Sequence, residues 1–226
     1  MEVPTVKQRL IRAEENAALL FKEAETRNLI VAGKTEKELN NQIFDLAFEL
    51  FGIRKYWHKR IIRSGPNTLK PYYENPPDRE ITKDDILFFD FGPIFEEWEA
   101  DFGRTYVMGK DDLKLKLQRD IEVAWNVCKE YFDSQKTITG AELYAFAEAQ
   151  ASANGWEYGG EIAGHLIGHF PHERLETENK TNYIHPDNNK DMRDLDHEGK
   201  ERHWILEIHF VDKKREIGGF FEQLMT

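Results

Sequence analysis

A long amphipathic helix followed by a capped helix occurs twice in this chain, about a hundred residues apart. In the first half, residues 5–30 carry apolar side chains at helical spacing. The next segment opens with Thr35 and Glu38, which form a capping-box pattern, and it stops at Gly52. Strand-like sequence follows, so this half reads as two helices and then strands.

The second half repeats that order. Residues 111–133 have a helical period, and Thr139 and Glu142 form another capping box before a helix that stops at Asn154–Gly155. The matched order predicts two halves of related architecture within one domain, although the two segments are not close in sequence.

Strand signals fill most of the rest of the chain. Apolar, β-rich runs cover residues 85–95, 103–109, 203–212 and 218–226. Residues 174–202 are polar and weakly periodic, which is typical of a long loop or flap that shapes a pocket entrance. Together, the helix and strand patterns predict an α+β fold in which the helices are grouped beside an antiparallel sheet.

Charge and composition exclude several classes of protein. A net charge of −11 over 226 residues argues against nucleic-acid binding, and no apolar run is long enough to span a membrane. The single cysteine, Cys128, excludes an internal disulfide and a four-cysteine zinc site, and it is expected to be a buried thiol. With no leader pattern at its start, the chain is expected to be cytoplasmic. The basic segment 54–60 is expected to be a solvated end of an element, with contact to an anionic ligand as the alternative.

Three of the eight histidines lie in one apolar, glycine-punctuated stretch, GHLIGHFPHE. They are His165, His169 and His172. Taken alone, the stretch is compatible with metal ligands, with acid–base catalysts or with hydrogen-bonded core histidines.

Carboxylates within apolar strands favour the first of these. Glu207, Asp90 and Glu222 each interrupt a strand-like run, where an ionised carboxylate is costly unless it is paired or binds a cation. Asp101 follows Asp90 by eleven residues, across an expected hairpin. A carboxylate-rich site suits Mn(II), Fe(II) or Co(II) at least as well as Zn(II), and bridging carboxylates can hold two ions.

In these residues the chain resembles the pita-bread metallopeptidases, which include methionine aminopeptidase, aminopeptidase P and prolidase, with creatinase as a non-peptidase relative. The family pattern is two aspartates eleven residues apart, a Gly-His-x-Ile-Gly segment with a further His-Glu, and two glutamates. The matching positions in this chain are Asp90, Asp101, His165, His172–Glu173, Glu207 and Glu222. The resemblance implies a pita-bread fold with a pseudo-two-fold, in a single catalytic domain over residues 1–226.

The resemblance also implies roles for these residues. Asp90 would chelate one of two divalent metal ions, Asp101 and Glu222 would bridge both, and His165 and Glu207 would complete the other ion's shell, with Mn, Fe or Co favoured over Zn. A metal-bridging hydroxide would attack the substrate carbonyl, with Glu207 as the proton shuttle. His172 would contact the substrate or the tetrahedral intermediate. His169 has no counterpart in the motif and is expected to pack in the core or line the pocket.

Two departures from the family pattern concern the pocket. Peptidases of this family carry a histidine upstream of the first aspartate, whereas the matching segment here, SGPNTLKPYYENP, offers Tyr72, with Tyr73 as the second choice. A phenol donates a hydrogen bond but is a poor proton carrier at neutral pH. His209 stands where peptidases have glycine, and it either approaches the site or is a hydrogen-bonded strand residue.

The sequence therefore leaves three functions open. The first is a dinuclear-metal aminopeptidase or dipeptidase acting on Xaa-Pro or similar short peptides. The second is a creatinase-like metal enzyme acting on a non-peptide small molecule, which Tyr72 favours. The third is a binding protein on an inactive scaffold, which retention of the whole ligand set disfavours. A homodimer is one option for the assembly.

Overall fold

A computed structural model describes residues 3–171 and 180–225 of the chain. Within these residues, two helices from each half have the predicted order. They are α1 (Val6–Thr26), α2 (Glu36–Phe51), α3 (Asp112–Ser134) and α4 (Gly140–Ala153). No helix in this part of the chain is long and apolar enough to cross a membrane.

One antiparallel sheet joins the two halves. In chain order, the strands are β1 (Ile61–Ser64), β2 (Ile86–Phe91), β3 (Ile94–Phe95), β4 (Trp98–Glu99), β5 (Phe102–Val107), β6 (Glu157–Tyr158), β7 (Gly164–Ile167), β8 (His203–Asp212) and β9 (Ile217–Leu224). The main sheet has the order β1-β2-β5-β9-β8-β6, with β7 also paired to β8, while β3 and β4 form a separate hairpin. The last of these strands therefore lies in the middle of the sheet.

The helix ends follow from local side-chain chemistry. The predicted capping boxes are confirmed at Thr35–Glu38 and at Thr139–Glu142, where each threonine accepts a hydrogen bond from the backbone of the glutamate that caps it in return. Gly52 ends α2 at φ +70°, a conformation that glycine adopts without steric cost.

The four helices pack mainly on one face of the sheet, over two adjoining cores, while Leu10 of α1 packs with Ile205 and Leu224 on the opposite face. Residues of α1 and α2 pack with Leu87, Phe89 and Phe91 of β2, and residues of α3 and α4 pack with alternate residues of β8. Because side chains alternate along a strand, Phe88, Asp90 and Glu207 project from the opposite face. The antiparallel α+β arrangement with helices on one side agrees with the sequence prediction, and the sheet leaves its other face for a site.

The described part of the expected flap, residues 180–202, is an irregular segment that is packed in place. It contains a short 3-10 helix, Lys180–Asn182, and no long strand. Ile184 and Met192 are buried in the core formed with α3 and α4. The loop prediction is right for these residues, but they do not form a free flap.

Glu14 joins α1 to the sheet. Its Oε2 accepts a hydrogen bond from the backbone N–H of Leu224 in β9. Burial raises the pKa of this carboxyl from its ordinary value of 4.5 to about 7, against the opposing effects of that hydrogen bond and of Arg104. The folded chain therefore holds a proton on Glu14 over a pH range in which the unfolded chain has lost it.

We expect Glu14→Gln to stabilise the protein at alkaline pH. A carboxyl whose pKa is raised on folding stabilises the folded protein below pH 4.5, and this stabilisation is lost as the pH rises through 7. The free energy of unfolding of the glutamine variant should therefore exceed that of the wild type by up to about 3 kcal/mol at pH 8 and by little at pH 4.5. Urea unfolding of both forms across this range measures the difference, with the exposed neighbour Glu15→Gln as the control. A gain that does not depend on pH would contradict the assignment.

Candidate metal centre

Strand register places the interrupting carboxylates in one row across the sheet. Asp90 in β2 is opposite Gly103 in β5, Gly103 is opposite Glu222 in β9, and Glu222 is opposite Glu207 in β8. Directly opposed residues of antiparallel strands project from the same face, so three acidic side chains from distant parts of the chain share one face of the sheet. Gly103 has no side chain, and the space that a Cβ would take there is occupied by the Phe220 ring and Glu222, whose nearest atoms would lie 2.6 and 2.9 Å from it.

Asp101 lies two residues before Gly103 and joins the same face. It is 2% exposed, and its Oδ2 is 3.0 Å from His165 Nε2. The β3–β4 hairpin provides the turn expected between Asp90 and Asp101. His165 reaches the cluster because β7 pairs with β8 and places it opposite Ile205. Gly164 allows this close pairing, since a Cβ there would lie 2.0 Å from Ile205 O.

Among the described residues, two groups of donor atoms are compact enough to surround a cation. In each group the atoms lie within 4.8 Å of one another; the first is His58, Asp90 and Asp101, and the second is Asp101, His165 and Glu222. Asp101 belongs to both groups. Glu207 belongs to neither but faces Glu222 across the strand pair.

His58 is the member of this cluster that the sequence did not reveal. Its Nε2 is 3.0 Å from Asp101 Oδ1 and 3.6 Å from Asp90 Oδ1, and its side chain is 8% exposed. The prediction of a solvated end for residues 54–60 is therefore wrong at this position, although Arg54 and Lys55 are exposed. The available signal was a Trp-His pair inside an otherwise basic run.

Burial strongly raises the pKa values of three of these carboxyls. Burial, opposed by His58, raises the pKa of Asp90 to about 6, and burial, opposed by His165, raises that of Glu207 to about 8. Burial also raises the pKa of Glu222 well above its ordinary value, with nearby aspartates adding to the effect. These three carboxyls cannot all ionise at neutral pH without additional positive charge.

Asp101 differs because two imidazoles face it. Burial alone would raise its pKa, but His58 and His165 hold it below the ordinary value of 3.8. Burial disfavours a charged His58, yet Asp101 and Asp90 raise the pKa of its imidazole to about 9. Asp101 is therefore the carboxylate that stays ionised, at the centre of the cluster.

The residues present fit divalent cations. Glu207 Oε1 and Glu222 Oε2 are buried and have no hydrogen-bond partner among the described residues. An unpaired buried carboxylate oxygen is costly, and a cation satisfies it. With all four carboxyls ionised and both imidazoles neutral, as metal binding requires, the site would carry a charge of about −4, which two divalent ions balance.

Tyr72 lies beside the cluster, in a loop whose backbone is hydrogen-bonded to Arg63. Its ring centroid is 6.0 Å from that of His58, and the residue is 50% exposed. Burial raises the pKa of its hydroxyl, and the nearby carboxylates add to the effect. The buried Arg63 donates hydrogen bonds to the carbonyl oxygens of Pro71 and Glu74, at 2.9 and 3.0 Å, and so fixes the loop on both sides of the tyrosine. Tyr73 is 66% exposed.

The SGPN segment is a structural support for this region. Glu36 of α2 accepts hydrogen bonds from the Ser64 hydroxyl at 2.8 Å and from Asn67 Nδ2 at 2.9 Å. Ser64 ends β1, so the network ties that strand and the Tyr72 loop to α2. Glu36 follows the predicted cap Thr35, and no local sequence pattern indicates this supporting role.

The remaining histidines are distinct from the cluster. His209 is buried with its Nε2 2.9 Å from Thr68 O, and burial lowers its pKa to about 4, so it is a neutral, hydrogen-bonded strand residue. The expected packing of His169 in the core is wrong, because its side chain is 52% exposed, beside Glu97. The proposed contact residue His172, with Glu173, lies outside the described residues.

Comparison with known proteins supports the motif-based resemblance. The profile of metallopeptidase family M24 matches residues 8–196. The chain is 27% identical to a Xaa-Pro dipeptidase of Pyrococcus horikoshii over 176 residues, which are 73% of this chain and 49% of that protein. It is 26% identical over 171 residues to a Xaa-Pro dipeptidase of Pyrococcus furiosus, covering 71% of this chain and 47% of that one. The chain thus spans about half the length of these curated relatives.

Solved structures confirm the predicted pita-bread fold. A recombinant prolidase from Thermococcus sibiricus superposes with a TM-score of 0.71 at 27% identity, covering 95% of this chain and 55% of that one. A methionine aminopeptidase from Thermotoga maritima gives a TM-score of 0.71 at 16% identity, covering 99% of this chain and 93% of that one. At that identity the second likeness concerns the fold alone.

Proposed function

Because the chain belongs to metallopeptidase family M24, we propose that it is a metal-dependent hydrolase that cleaves short peptides, with Xaa-Pro dipeptides as the first candidates. The observation that carries the proposal is the convergence of donor atoms into two cation-sized groups sharing Asp101. The name of the Pyrococcus horikoshii relative, Xaa-Pro dipeptidase, supports this substrate class. Asp90, His165 and Glu222 of these groups lie on strands of one sheet, so we treat residues 1–226 as one catalytic domain.

Five residues would hold the metal ions. They are Asp90, Asp101, His165, Glu207 and Glu222, with Asp101 central to both groups. Bound divalent cations would polarise the scissile carbonyl and lower the pKa of water, which is the chemistry that amide hydrolysis at neutral pH requires. Carboxylate-rich coordination favours Mn, Fe or Co over Zn.

Side chains of the protein would then transfer the proton during hydrolysis. The unpartnered Oε1 of Glu207 belongs to a buried carboxylate on the sheet face that carries the cluster, opposite Glu222. A buried carboxylate beside the cations could accept a proton from water and pass it to the leaving amine, as peptide hydrolysis demands. We therefore assign the proton shuttle to Glu207 and, by the motif match, a contact with the tetrahedral intermediate to His172.

Tyr72 favours a second candidate function. Its half-exposed ring stands beside the cluster, and a phenol with a raised pKa donates a hydrogen bond but does not readily protonate a leaving amine. A non-peptide amide or amidine with a better leaving group would have less need of a proton from the residue at position 72. A creatinase-like small-molecule hydrolase is therefore the alternative to a peptidase.

A substrate panel tests both candidates. Protein stripped of metal and reloaded separately with Mn(II), Co(II) and Zn(II) is assayed against Xaa-Pro dipeptides, Met-Xaa peptides and small amides and amidines. We expect Xaa-Pro cleavage that depends on added metal and disappears with a chelator. Turnover of an amide or amidine with all peptides inert would favour the alternative, and metal uptake with no turnover of any compound would contradict both.

A further inference from the structure

We propose that His58 is a sixth protein ligand of the metal centre, binding through Nε2 the cation held by Asp90 and Asp101. This inference rests on the proposed function, since it requires that the cluster binds metal. It adds a nitrogen donor to the position that would otherwise contain carboxylates alone. The five-residue set implied by the sequence motif does not include it.

The first support is that His58 duplicates the setting of His165. Each histidine has its Nε2 3.0 Å from a different oxygen of Asp101. Each also has its Nδ1 2.8 Å from the carbonyl oxygen of the following residue, Lys59 or Leu166. A carbonyl accepts only, so Nδ1 carries a proton and Nε2 faces the cluster, which is the usual arrangement of a metal-binding histidine.

The distances also suit shared coordination. Two donors with metal bonds of about 2.1 Å are about 3.0 Å apart at a right angle and about 3.4 Å apart in a tetrahedron. His58 Nε2 lies 3.0 Å from Asp101 Oδ1 and 3.6 Å from Asp90 Oδ1. One cation can therefore contact all three atoms with little movement of the side chains.

The surrounding backbone fixes the ring in this position. Trp57 donates its backbone N–H to Gly92 O at 3.0 Å and its indole N–H to Ala100 O at 2.9 Å. Its ring lies edge-on to His58, with centroids 4.4 Å apart. A Cβ at Gly92 would lie 2.2 Å from His58 Cδ2, so the glycine that follows Asp90 by two residues makes room for the imidazole. The orientation of His58 is thus set by packing as well as by the carboxylates.

A sixth ligand has a consequence for metal choice. With His58 included, each of the two groups contains one imidazole beside its carboxylates. Imidazole suits Fe, Co and Zn better than Mn, so His58 would reduce the preference for Mn that a carboxylate-only position would show. A salt bridge between protonated His58 and Asp101, with no metal contact, is the competing interpretation.

X-ray absorption of the cobalt-loaded protein distinguishes the two. Metal-free protein given two equivalents of Co(II) is expected to show about one imidazole per cobalt ion, and His58→Phe about half of that. Calorimetric titration should show that one of the two equivalents binds at least about 100-fold more weakly in the variant. His169→Phe, which alters an exposed histidine, is the matched control and should leave both measurements unchanged.

A second variant guards against misfolding. His58→Gln keeps a polar side chain in the space beside Trp57 and Gly92, so its circular dichroism spectrum should match that of the wild type. It should show the same halved number of imidazoles per cobalt ion. Wild-type protein that binds two cobalt ions with the same imidazole count as both His58 variants would overturn the role of His58 and leave the proposed metal centre intact. Wild-type protein that takes up no cobalt would overturn both.

Discussion

Replacing Glu207 by glutamine is expected to lower kcat/KM for a cleaved peptide by about 1000-fold, the range typical of a lost acid–base group. Glutamine has almost the same shape but cannot exchange a proton near neutral pH. Glu207 stands opposite Glu222 in the β8–β9 pair, and its Oε1 has no hydrogen-bond partner among the described residues. The effect should therefore arise from the site and not from a lost structural contact.

The measurement compares steady-state kinetics of metal-reloaded wild type and Glu207→Gln on the best substrate of the panel. Glu157→Gln is the matched control, because Glu157 lies in the neighbouring strand β6 with an exposed side chain that pairs with Lys213. This control should retain full activity. A Glu207→Gln enzyme within ten-fold of wild type would exclude the assigned proton shuttle.

Asp101→Asn is expected to weaken binding of both metal ions by at least about 100-fold, and hydrolysis should fall below detection. Asp101 is the one residue that belongs to both donor groups, and each of its oxygens faces a different histidine. An amide offers one neutral acceptor in place of two charged ones, so one of the two histidines loses its partner.

Elemental analysis after dialysis and calorimetric titration with Mn(II) or Co(II) measure this loss. Asp133→Asn changes an exposed aspartate of α3 that pairs with Lys129, and it should leave metal content unchanged. Near-wild-type affinity for either ion in Asp101→Asn would argue that the two positions do not share this carboxylate. Circular dichroism of both variants checks that the fold persists.

Local patterns in the sequence predicted the helices, the strands and most of the carboxylates of the candidate metal centre. Capping boxes and helical periods depend on residues a few positions apart, so Thr35 and Glu38 mark the start of α2 without reference to the rest of the chain. Glu207 was notable because alternation in β8 placed it among apolar neighbours. The resemblance to the family then predicted that these acidic residues form one metal site. In the structure, the register of β2, β5, β9 and β8 places them on one face of the sheet.

His58 and His169 show why the rest was not predictable. The inward position of His58 depends on the pairing of Trp57 with Gly92 and on the space that this glycine leaves, and neither is local in sequence. His169 sits in an apolar-looking stretch, yet the chain beyond β7 turns it toward solvent and Glu97. Short-range composition describes the neighbours of a residue along the chain, whereas burial depends on neighbours contributed by other strands.

The place of β9 in the sheet bears on how the protein is made. β9 follows β8 in the chain but lies between β5 and β8, and it carries Glu222. During synthesis, β5 and β8 therefore each expose an unpaired edge until β9 emerges and inserts, and such edges promote association between chains. We expect nascent or clipped chains that lack β9 to depend on chaperones and to be degraded, so that metal-binding competence and a closed sheet are acquired in the same step.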